Sequence, residues 1–62
     1  MNAAEAAYEA ANQLHRDFCN TFLFPSREAY RAGKITDADF LAIQAEHKAL
    51  LRACDAAEAA LS

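Results

Sequence analysis

The octet Gly33-Lys34-Ile35-Thr36-Asp37-Ala38-Asp39-Phe40 limits the folds open to this chain more than any other stretch, because it stops one helix and starts another. Glycine reaches the left-handed backbone conformation that commonly follows a helix C-terminus, and Arg31 and Lys34 set positive charge beside the last free carbonyls. Thr36 is then an N-cap, Asp39 stands where a capping-box carboxylate does, Asp37 is a second first-turn anion, and Ile35 can staple onto Phe40. A turn over 33–36 between two helices follows.

Both flanks carry the periodicity that such a turn requires. The downstream helix, about 37–61, has Phe40, Ile43, His47, Leu50, Cys54, Ala57 and Leu61 at alternating steps of three and four, a heptad seam. Upstream, about 2–32, Ala4, Tyr8, Ala11, His15, Phe18 and Phe22 form a matching seam with Leu14 beside it. With 17 alanines, one glycine, one proline and no valine, the composition is helical almost throughout. The fold class is therefore all-α: an antiparallel αα-hairpin forming a single domain over 1–62. Folding about residues 34–35 sets Tyr8 level with Leu61, His15 with Cys54, Phe18 with Leu50, Phe22 with His47, and Ala29 with Phe40. Pro25 conflicts with the upstream helix, since it lacks an N–H and its ring crowds the Thr21 carbonyl. One helix kinked near 24–25 is preferred over a break that starts a separate short helix at Pro25.

Two stripes cannot cover all the apolar groups. Phe22, Leu23 and Phe24 point around most of the helix circumference, Cys19, Leu23 and Tyr30 make a second stripe, and Leu41 and Leu51 leave the downstream seam. Each large side chain left in water forgoes about 1.5–3 kcal/mol. The expectation is a non-enzymatic protein–protein interaction module, with Phe22, Leu23, Phe24, Tyr30 and Leu51 as its contact surface. Its partner is a second copy, completing a four-helix bundle by homodimerisation, or a larger protein on which it docks as a small subunit or adaptor.

A second reading is a metal- or thiol-based sensor. Imidazole and thiolate suit zinc or copper(I). His15 and Cys54 share a level, His47 of a second chain would arrive there in a dimer, and Glu58 or water could complete the set. Cys19 lies one turn beyond His15. No dense ligand spacing such as CxxC or HExxH is present, so the sequence itself demands no cofactor, and two distant cysteines read as thiols of a reducing compartment. Cys54 and His15 could supply a nucleophile and its base, but nothing supplies the orienting group and pocket that nucleophilic catalysis also needs.

Six basic residues against nine acidic ones give a net charge of −3, which disfavours nucleic acid as a partner. Arg27, Arg31 and Lys34 gather at the tip, where Glu28, Asp37 and Asp39 offset them. The first ten residues carry Glu5 and Glu9 and no basic residue, unlike a signal peptide, and no apolar run is long enough for a membrane span. The expected setting is the cytoplasm.

The turn octet resembles the G-x-I-T-x-x-E-[FY] core of SHOCT-type hairpin modules, with Asp39 in place of Glu and Gln44 in place of the usual following lysine. That resemblance implies a role in oligomerisation. The overall plan looks like the Rop type of plasmid copy-number regulator, which implies a dimeric four-helix bundle and a nucleic-acid regulator that binds RNA loops, a function at odds with the acidic balance here.

Overall fold

The computed structural model describes residues 2–61. Helix α1 spans Ala3–Phe18, a π-helical turn follows over Cys19–Leu23, α2 covers Phe24–Arg31, and α3 runs from Asp37 to Ala59. The first three segments form one uninterrupted helical arm, because the residues at both junctions, Phe18, Leu23 and Phe24, all keep right-handed helical dihedrals. That arm and α3 make an all-helical hairpin. Among the described residues, no helix is long and apolar enough to cross a membrane.

The tip follows from its sequence. Gly33 has φ 71°, the Lys34 N–H donates to the Ala29 carbonyl at 2.8 Å and the Gly33 N–H to the Tyr30 carbonyl at 3.0 Å. This pair of bonds is the Schellman closure of a helix C-terminus. The Thr36 hydroxyl accepts from the Asp39 N–H at 3.1 Å, and the Asp39 carboxylate accepts from the Thr36 N–H at 3.4 Å, completing the capping box. Across the turn the Tyr30 ring stacks on Phe40 with centroids 4.4 Å apart and planes 7° from parallel, and its hydroxyl donates to Asp37 at 2.6 Å. Tyr30, expected on an outer contact stripe, instead spends one ring face inside the chain. At the other end the Asn2 side chain caps α1 by accepting from the Glu5 N–H at 2.8 Å.

Pro25 neither breaks the arm nor begins a separate helix. The irregularity lies just before it, where the Phe24 N–H donates to the Cys19 carbonyl, five residues back. Pro25 has no N–H to lose at this change of register, and the wider turn relieves the crowding that its ring imposes on a preceding carbonyl. The Ser26 hydroxyl, buried, donates to the Leu23 carbonyl at 2.9 Å.

The extra residue in the wide turn moves the seam. The regular period continues from His15 and Phe18 to Phe22, 25 and 29, whereas the buried positions are Cys19, Leu23 and Ser26, with Ala29 half-buried. Leu23 is only 2% exposed and Phe22 is 53% exposed. Leu23 is therefore the centre of the hairpin core, and its expected place on the contact surface is corrected. Phe24, Tyr30 and Leu51 do remain exposed. On α3 the seam holds as read: Phe40, Ile43, His47, Leu50 and Ala57 are half-buried and Cys54 is buried, while the last member, Leu61, is exposed.

Candidate metal centre

Three side chains capable of ligating a metal converge between the two arms. His15 projects from the last turn of α1, and Cys19, four residues on, opens the π turn on the same side. His47 faces them from the seam of α3. The His15 and His47 Nε2 atoms are 2.9 Å apart, the Cys19 Sγ lies 3.6 Å from His15 Nε2, and all three atoms fall within 4.8 Å of one another. Both imidazoles are half-buried and Cys19 is buried.

The two rings meet by their edges. Their centroids are 4.9 Å apart with planes 27° from parallel, so most of the separation is taken up by the two ring radii and the short N···N gap. At that distance one Nε2 carries hydrogen and donates, and the other must accept through its lone pair, which puts its own hydrogen on Nδ1. A second proton would set two N–H groups against each other. The pKa of His47 lies below the ordinary 6.5, through partial removal from water first, then the charge of His15, then that of Arg27.

This trio differs from the set expected from the sequence. His15 and His47 do come together, but within one chain, without a second copy to deliver His47. The thiol beside them is Cys19 rather than Cys54, and neither Cys54 nor Glu58 belongs to the group. The level count paired His15 with Cys54 and His47 with Phe22 as if side chains reached straight across, whereas two long imidazoles close the offset between their helix positions. The spacing of His15 and Cys19 at i and i+4 was the legible signal for the third member. Cys54 is a free, buried thiol elsewhere in the core, and Cys19 is also free.

Next to the trio along the hairpin runs an open groove lined by Leu14, Phe18, Phe22 and Leu50, with Asp17, Thr21 and Glu46 among its walls. Phe18 and Phe22 contact each other there with centroids 5.4 Å apart. No protein-family model, curated protein or solved structure matches the chain.

Proposed function

We propose that this hairpin is a non-enzymatic self-association module, two copies packing layer on layer into a four-helix bundle. The observation that carries the reading is the imbalance between covered and uncovered apolar groups. Among the described residues the buried apolar side chains are Cys19, Leu23 and Cys54, while Leu14, Phe22, Phe24, Tyr30, Leu41, Leu51 and Leu61 are exposed. If each exposed side chain regains about half of its transfer free energy on burial, the set is worth roughly 5–10 kcal/mol. A chain of this length has a total stability of about 3–9 kcal/mol.

The shape argues for a second copy. The Cα atoms fill a slab 45 × 16 × 11 Å, a single layer of two rods. Stable domains have at least two layers around a core, and an identical second layer supplies one through a self-complementary two-fold contact. The groove of Leu14, Phe18, Phe22 and Leu50 is the natural centre of that contact, since it is continuous and apolar along its floor.

Molar mass by light scattering at micromolar concentration tests the proposal. The expected result is twice the 6.8 kDa chain mass, falling to the single-chain mass in Phe22→Glu with helicity retained. A wild-type protein that stays at one chain mass while melting cooperatively overturns it, and a mass that Phe22→Glu leaves unchanged removes the groove from the contact.

A further inference from the structure

The geometry points to a metal site built within one chain from His15 Nε2, Cys19 Sγ and His47 Nε2, taking a thiophilic d10 cation, zinc(II) or copper(I), with its remaining position open to solvent. The inference does not rest on self-association, because every ligand comes from the same hairpin.

The distances carry it. With zinc bonds of about 2.3 Å to sulfur and 2.0–2.1 Å to nitrogen, a tetrahedral site sets S···N edges near ~3.6 Å and N···N edges near ~3.3 Å. The Cys19–His15 edge is already 3.6 Å, and the two imidazole nitrogens, at 2.9 Å, need to part by only a few tenths of an ångström. The third edge closes from within 4.8 Å by side-chain torsion. What now holds the nitrogens together is one hydrogen, so the cation takes the place of a proton between two lone pairs that already face each other.

The bookkeeping of protons is simple. On binding, the Cys19 thiol releases its proton to solvent and the thiolate ligates. The imidazole that carried hydrogen on Nε2 takes it on Nδ1 instead, and both Nε2 lone pairs reach the metal. No electron is transferred. Two imidazoles and one thiolate suit both cations, whereas oxygen-seeking calcium and magnesium find no carboxylate in the group.

The ligand set is read most directly with cobalt(II) in the zinc position, in the reduced full-length chain. We expect one equivalent to bind with a thiolate-to-cobalt charge-transfer band that zinc displaces. Cys19→Ala should abolish the band, Cys54→Ala should preserve it, and His47→Ala should weaken binding at least tenfold while circular dichroism shows the helices intact. A parallel anaerobic titration against a chromophoric copper(I) chelator identifies which of the two cations is held more tightly, with the same dependence on Cys19 and His47. Failure of both cobalt and copper(I) to bind the wild-type chain overturns the inference. So does a band lost in Cys54→Ala and kept in Cys19→Ala, or binding indifferent to His47→Ala.

Discussion

Adjacent residues in the π turn of the first arm have opposite fates, and substitutions should expose the difference. Leu23 is the best-buried apolar side chain and Phe22, its neighbour, is half in water. Leu23→Ala should cost about 2–5 kcal/mol in urea unfolding, the range for a core leucine. A comparable loss of intrachain stability at Phe22 would contradict the assignment. At the tip, an alanine Cβ at Gly33 meets no atom within 4 Å, so Gly33→Ala should cost only the left-handed backbone strain, about 1–2 kcal/mol. Tyr30 adds a pH signature: its hydrogen bond to Asp37, the carboxylate's charge and partial burial all raise its pKa above the ordinary 10.0. A raised pKa means that the folded state favours the protonated phenol. The associated stability is thus fully present below pH 10 and lost as pH climbs through the folded-state value. Ultraviolet titration should show Tyr30 ionising above the ordinary 10.0, and Asp37→Asn should bring it back toward that value.

Among the elements, α3 and the tip were legible because each rests on a local rule: a heptad seam, a glycine closure, a capping box. The first arm was legible only to Phe18. Period counting assumes a constant number of residues per turn, and the π turn over Cys19–Leu23 adds one, so Leu23 and Ser26 take the inward places that the count gives to Phe22 and Pro25, while Ala29 keeps its expected half-buried place. The only trace in the sequence is Pro25, which says that a bond is missing without saying that the register widens. The same slip kept Leu23 out of the core and hid the match between Tyr30 and Phe40. The candidate metal set was half legible for a related reason: His15 and His47 lie on the seams, but the choice between two cysteines depended on distances that level counting does not give. A deletion tests the register argument. Removing the exposed Asn20 together with Pro25→Ala should restore a regular helix with Leu23 still inward, and melt at or above the wild-type temperature. Removing Asn20 alone returns the proline to a regular interior and should cost about 3 kcal/mol. Deleting Ala45 from the regular α3 should unfold the hairpin, since it turns the preceding seam residues away from the partner arm.

For the whole molecule, the proposed pairing of two single-layer hairpins predicts a stability that depends on concentration. If two copies share a core, dilution pulls them apart, and the urea midpoint should rise with protein concentration over the micromolar range. A midpoint independent of concentration would speak for a self-sufficient hairpin. Phe22→Glu should flatten the dependence without erasing helicity in the absence of urea.

The closure at Gly33 and the capping box at Thr36 also set an order of events in time. Both depend on residues a few positions apart, so the tip can form before distant parts of the chain have met, and each further rung joins with little additional loop to close. The arms are expected to fasten outward like a zip, with Tyr30 and Phe40 first, His15 and His47 later, and the ends last. Stopped-flow refolding of Phe40→Leu should be slowed, whereas Tyr8→Leu should act chiefly by hastening unfolding.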